Sequence, residues 1–250
     1  MGPELYTLLE KDASAAFYRS YSSLFLGYLD RKPPQKLVTD LDLSGHLIFQ
    51  MIMHIDRIED DKQNDWSRVL QLQLESTKLL CRYFADGHSF WQAYSKIDRL
   101  FNRRKDLENN CKLFPTWSSY VSLALSRSIY ASLAIEAYFH LGYLSDTSRN
   151  LLLKSHDRFV EAYQLYDDCS DLIQDNERGQ FNWALYLAEQ RDVKITAFYH
   201  SSLFEELLSQ IISGVNAAAD YLHLFPDSGY ATVLQQLKHA ASRMYRSYIE

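Results

Sequence analysis

Eight glycines and five prolines are all the turn-forming punctuation in this 250-residue chain. Sheets need tight turns at short intervals, and such turns draw heavily on both residues. Their scarcity therefore favours helices joined by short loops. The apolar spacing agrees. Leu8, Leu9, Ala15, Phe17, Leu24, Phe25 and Leu29 recur at helical intervals, and Pro33-Pro34 is a firm break. Ser44 suits the N-cap of a helix in which Leu47, Met51, Ile55 and Ile58 form a stripe. Further helical patterns cover about 65–86, 89–106, 116–143, 146–177, 180–190, 194–222 and 229–249, with "DGHS" and "FPDSG" as turns. With 47% hydrophobic residues, no repeat and no low-complexity linker, the expected fold is all-α. One domain over 1–250, a bundle of eight or nine helices, is the expectation.

The bulk charge narrows the function classes. A net charge of −6 gives no electrostatic reason to expect nucleic acid, and Arg103-Arg104-Lys105 reads as a solvated helix face. Cys81, Cys111 and Cys169 lack metal-ligand spacing and read as reduced thiols. The first residues show no basic start followed by an apolar run, and Tyr6 spoils a myristoylation pattern. No apolar run reaches the roughly 20 residues of a spanning helix. The expectation is a soluble cytoplasmic protein without a transmembrane segment.

Residues 116–143 are apolar almost all round, which suits a central helix. Arg127 falls inside that stripe. A buried arginine needs an anionic partner or an aqueous cavity, because an unpaired buried charge is costly.

The charge in "YQLYDDCSDLIQDNERGQFNW" calls for an explanation of its own. Asp167, Asp168, Asp171 and Asp175 crowd into nine positions of a helix-forming stretch, and carboxylates four apart repel. Only Lys154 and Arg178 are near in sequence to offset them. Asp167, Asp171 and Asp175, at i, i+4 and i+8, share one helix face, with Asp168 at its edge. A second acidic group stands in "HIDRIEDD", where Asp56, Glu59 and Asp60 share a face and Asp61 and Asp65 follow. Two acidic helix faces suit a hard divalent cation such as Mg²⁺, which takes oxygen ligands and bridges carboxylates to substrate phosphates. The plainer alternative is two solvated helix ends.

In these two segments the chain resembles the class I isoprenoid (terpene) synthases. "DRIEDD" is similar to the DxxED first motif of squalene and phytoene synthases. "DDCSDLIQDNERGQFNW" is similar to their second motif and to that of the large-terpene synthases, where an acidic run precedes a glycine and an asparagine-aromatic pair, here Gly179 and Asn182-Trp183. Arg127 falls in the interval where terpene cyclases carry a diphosphate-sensing arginine. "RMYRSYIE" offers Arg243 or Arg246 beside Tyr245 and Tyr248 for their C-terminal Arg-Tyr pair. The paired arginines that follow the first motif in chain-elongating prenyltransferases are missing from "KQNDWSR".

The resemblance implies a helical bundle with a central active-site cavity and an Mg²⁺-dependent terpene synthase that ionises a linear prenyl diphosphate and cyclises or eliminates the cation. It implies Asp56, Glu59, Asp60, Asp167, Asp168, Asp171 and Asp175 as the metal-binding set, holding three Mg²⁺ ions with the diphosphate. Arg127, Arg178, Arg243, Arg246 and Tyr248 are the implied diphosphate-binding residues, and Asp56, Asp60, Asp171 and Arg127 the catalytic ones. Phe49, Trp117, Tyr120, Phe139 and Tyr166 lie on helices that suit a cavity wall, though each reads first as core. His54 reads as a core histidine and Cys169 as turned away from the acidic face. A prenyltransferase joining two prenyl diphosphates is the nearest alternative, and a non-catalytic helical interaction protein the alternative from another class. A di-iron bundle expects paired ExxH motifs, which the sequence lacks. The expected partner is a prenyl diphosphate, and nothing in the sequence opposes a homodimer.

Overall fold

The computed structural model describes residues 20–61, 64–222 and 228–249; at Asp60, Asp61, Tyr248 and Ile249 it describes the backbone course alone. Leu8, Leu9, Ala15 and Phe17 of the expected first helix lie outside the described residues, as does most of "FPDSG". Every element among the described residues is helical. None of these helices is long and apolar enough to cross a membrane.

In chain order the α-helices are α1 (Gln35–Asp61), α2 (Trp66–Leu80), α3 (Phe90–Asn102), α4 (Arg104–Leu113), α5 (Trp117–Ser128), α6 (Leu133–His140), α7 (Asp146–Ser170), α8 (Leu172–Arg178), α9 (Trp183–Gln190), α10 (Ser202–Asp220) and α11 (Gly229–Ile249). Short 3-10 helices cover Ser22–Tyr28, Ile129–Ser132 and Ile195–His200. The chain forms two compact units. Among the described residues, one comprises those up to Asp98 with Tyr130–Arg149; the other comprises Arg99–Ile129 with those from Asn150 onward.

In the first unit α1 packs on α2. Ser44 does not cap a helix: it is buried inside α1, with its Oγ 2.8 Å from the Ser76 Oγ of α2. The helix instead begins directly after Pro33-Pro34, where the amides of Leu37 and Val38 donate to the Pro34 carbonyl. Leu37, Val38 and Leu41 are buried like Ile48, Met51 and Ile55, so the apolar stripe simply starts earlier. The residues expected to end the first helix form the 3-10 helix Ser22–Tyr28, which buries Phe25 and Tyr28. At "DGHS" the turn is present, with Gly87 at φ +76°.

In the second unit α10 and α11 pack together and bury Phe204, Leu207, Ile211, Val215, Tyr230 and Leu234. Helix α7 lies close against α10: a Cβ on Gly214 would stand 3.0 Å from the Ala162 Cβ, and Ser155 Oγ donates to the Ala218 carbonyl at 2.8 Å.

Three long helices expected from periodicity are broken in the structure. The pattern at 89–106 divides at Arg103 into α3 and α4. The apolar stretch 116–143 divides into α5, a 3-10 turn and α6, then ends with Gly142 at φ +72°. The pattern at 146–177 breaks at Asp171, the residue at the centre of the acidic row. Apolar period alone does not mark these breaks, because both sides of each keep a buried face.

Candidate functional site

Helix α7 carries Asp167 and Asp168 in its last turn, and Asp171 and Asp175 follow around the start of α8. At Asp171 the backbone sits at φ −98°, ψ 10°, the sparsely populated bridge region, yet the ladder continues through it. The Asp171 amide donates to the Asp167 carbonyl and the Asp175 amide to the Asp171 carbonyl, both at 2.8 Å. The i, i+4, i+8 relation of the three carboxylates therefore persists through a bend.

Asp168 departs from its expected place at the edge of this row. It is 3% exposed, and protein donors occupy both of its carboxylate oxygens. Gln164 Nε2 donates to one at 3.0 Å and the Trp183 amide to the other at 2.8 Å. This carboxylate fastens α9 to α7. Burial pushes its pKa up to about 6, against the pull of those donors and of Arg127.

Asp167 is the electrostatic centre of the site. Burial, then the neighbouring charges of Asp171, Asp168 and Asp175, push its carboxyl up to about 7, and Arg127 pulls the other way. Asp171 is raised by burial and by Asp175, with Arg178 opposing. The sequence offered Lys154 and Arg178 as the nearby cations; the structure brings Arg127 of α5 to the row instead of Lys154. Arg127 also has the anionic partner that its setting demands. Its guanidinium lies 3.5 Å from Glu108, which accepts from Lys112 at 2.8 Å as well. Burial opposes ionisation of Glu108, but Lys112, Arg127 and Lys105 together hold its pKa down.

The segment after the row closes it. Gly179, at φ +64°, ends α8 in the left-handed conformation, and the Gln180 amide donates back to the Asp175 carbonyl at 3.0 Å. No neighbour crowds a Cβ at this glycine, so the backbone angle alone explains the residue. Asn182 then caps α9 through its Oδ1, which accepts from the Leu185 amide at 3.0 Å. Trp183 stacks on Tyr120 of α5, with centroids 5.1 Å apart and planes 20° apart, and Trp117 meets it edge-on.

Among the described residues of the second unit, two of the cavities bear on the candidate residues. The larger, about 610 Å³, is lined by Asp175, Asn182, Lys112 and Lys194 together with apolar Leu185 and Ile195. The smaller, about 330 Å³, is lined by Tyr166, Ser170, Tyr199, Arg243 and Met244. Arg243 thus faces a cavity different from the one that Asp175 lines. Arg246 and Arg178 are exposed, and the Tyr248 side chain lies outside the described residues.

The first acidic segment belongs to the other unit. Asp56 and Glu59 are half-buried in the last turns of α1, and the Asp60 side chain lies outside the described residues. His54 is not enclosed in a core; its Nδ1 lies 3.1 Å from an Asp65 oxygen. Phe139 packs its ring under the Arg149 guanidinium at 4.7 Å. Cys169 is buried, as expected of a residue turned from the row. Among the described residues no group of three or more His, Cys, Asp or Glu is arranged to hold a metal ion by itself. The donor set is nonetheless of hard oxygen type, and its crowding is of the kind that a divalent cation relieves.

Sequence reasoning missed Glu108, Lys112, Lys194 and Gln164, which lie far from the row along the chain or on its flank. No family model matches the chain, and neither the curated proteins nor the solved structures yield a match.

Proposed function

We propose that the protein is an Mg²⁺-dependent enzyme of the terpene synthase kind, ionising a linear prenyl diphosphate and cyclising or eliminating the resulting cation. The observation that carries this reading is the Asp167 carboxyl, pushed up to about 7 inside a row of carboxylates. Strongly perturbed ionisable groups are candidates for function, and Asp175 of the same row lines the cavity of about 610 Å³. Asp167, Asp171 and Asp175 would hold the metal, with phosphate oxygens and water completing its shell. Bound Mg²⁺ supplies charge neutralisation to a leaving diphosphate.

The chain's own residues supply the rest. Arg127, held by Glu108 and lowering the pKa of Asp167 and Asp168 through its charge, is a donor for anionic oxygens. Asp168 keeps α9 in place behind the row. Trp183, Tyr120 and Trp117 pack on one another and steady the start of α9 against α5.

Incubation with geranyl, farnesyl, geranylgeranyl and geranylfarnesyl diphosphates, with and without Mg²⁺, followed by mass spectrometry, tests the reading. The expected result is Mg²⁺-dependent loss of diphosphate from one chain length, giving a hydrocarbon or alcohol product. Asp171→Asn should lower turnover at least about 100-fold with helicity retained. Absence of diphosphate release from all four substrates, or full activity in Asp171→Asn, contradicts it. A product containing two prenyl groups would favour the coupling reaction instead.

A further inference from the structure

We propose that Asn182 is the positioning residue of the acidic row: its side-chain amide holds the Asp175 carboxylate against the start of α9, so that ion binding at the row and order in the α8–α9 turn are coupled. The inference rests on the metal-diphosphate reading of the row.

Asn182 is 2% exposed, and its whole amide is engaged. Nδ2 donates to the Asp168 carbonyl at 2.7 Å and to Asp175 Oδ2 at 2.9 Å. Oδ1 accepts the Leu185 amide. The three partners fix the amide's orientation, since exchanging O and N would set an oxygen against two acceptors. Capping alone needs only the oxygen, and serine, aspartate and asparagine cap about equally well. The nitrogen does what a cap does not require. It joins the end of α7, one carboxylate of the row and the first turn of α9 at a single buried side chain. Asp175 lines the 610 Å³ cavity, so fixing it also sets which oxygen an ion there meets. Groups that orient metal-binding carboxylates in this way typically change metal affinity by about 10–100-fold when removed.

The test is a double-mutant cycle read by electron paramagnetic resonance of Mn²⁺ in the presence of inorganic diphosphate. Wild type, Asn182→Ser, Asp175→Ala and the double variant are compared. Serine preserves the cap and removes the amide donor. The expected result is about tenfold weaker Mn²⁺ binding in Asn182→Ser, with no further loss when that change is added to Asp175→Ala. Unchanged affinity in Asn182→Ser, or losses that add, overturns the positioning role while leaving the metal reading intact. Failure of wild type to bind Mn²⁺ overturns both. If Asn182→Ser does not fold, hydrogen exchange on the wild type decides. The Trp183 and Leu185 amides should exchange at least about threefold more slowly with Mg²⁺ and diphosphate than without, and equal rates overturn the coupling.

Discussion

Asp40 and Asp167 both sit on long helices, one in each unit of the chain, and their surroundings treat them in opposite ways. Asp40 accepts from Lys36 at 2.9 Å, Tyr83 at 2.7 Å and Arg82 at 3.2 Å, and these donors hold its pKa down at about 2 despite some burial. Asp167 meets burial, three other carboxylates and a single opposing arginine, and is pushed up to about 7. Two further acidic groups of the first unit are answered as well: Arg149 makes a bidentate contact with Glu136, and Tyr130 donates to Asp98 at 2.6 Å. A carboxylate answered by protein donors strengthens a fold. Carboxylates set against one another weaken it.

The largest expected effect comes from breaking the answered one. Asp40→Ala leaves three donors without their acceptor and should cost about 2 kcal/mol, measured by denaturant unfolding. Because the folded pKa of Asp40 lies below its unfolded value of 3.8, this contribution is present above that value and fades as pH falls toward about 2. A loss below about 0.5 kcal/mol would erase one side of the contrast.

Asp167→Asn should do the reverse, stabilising the metal-free protein by about 1 kcal/mol at pH 8, or about 2–4 °C in Tm. The sign follows from a folded pKa above the unfolded 3.8. Between 3.8 and about 7 the folded state holds the proton more tightly, so wild-type stability falls as pH rises through that window. The gain from asparagine should therefore vanish near pH 4. Destabilisation at pH 8 would mean that the row is satisfied by the protein alone. The smallest effect is expected for Lys36→Met, about 0.3–0.5 kcal/mol, since Lys36 is an exposed i,i+4 partner and Arg82 and Tyr83 remain on Asp40.

Much of this was legible in the chain. The scarcity of glycine and proline points to helices, and the i, i+4, i+8 spacing of Asp167, Asp171 and Asp175 places them on one face because helical period is a local property. Gly179 and Asn182 also carry local signals, a left-handed helix end and a cap. The rest depends on contacts between distant segments. Asp168 is adjacent to the row in sequence, but it belongs to the α7–α9 fastening because the Trp183 amide returns to it. Arg127 stands by the row because α5 brings it there, and its Glu108 partner is nineteen residues away. Ser44 looks like a cap by residue type, yet the stripe of Leu37, Val38 and Leu41 carries α1 past it. The bend at Asp171 has no punctuating residue at all.

Site-resolved carboxyl titration by ¹³C NMR of the metal-free protein, repeated with Mg²⁺ and inorganic diphosphate, tests the central claim most directly. The account predicts that Asp167 titrates near pH 7 without metal while Asp40 titrates near 2, and that Mg²⁺ moves Asp167 down into the ordinary carboxylate range. An Asp167 that titrates in the ordinary range without metal, or that ignores Mg²⁺, would contradict it.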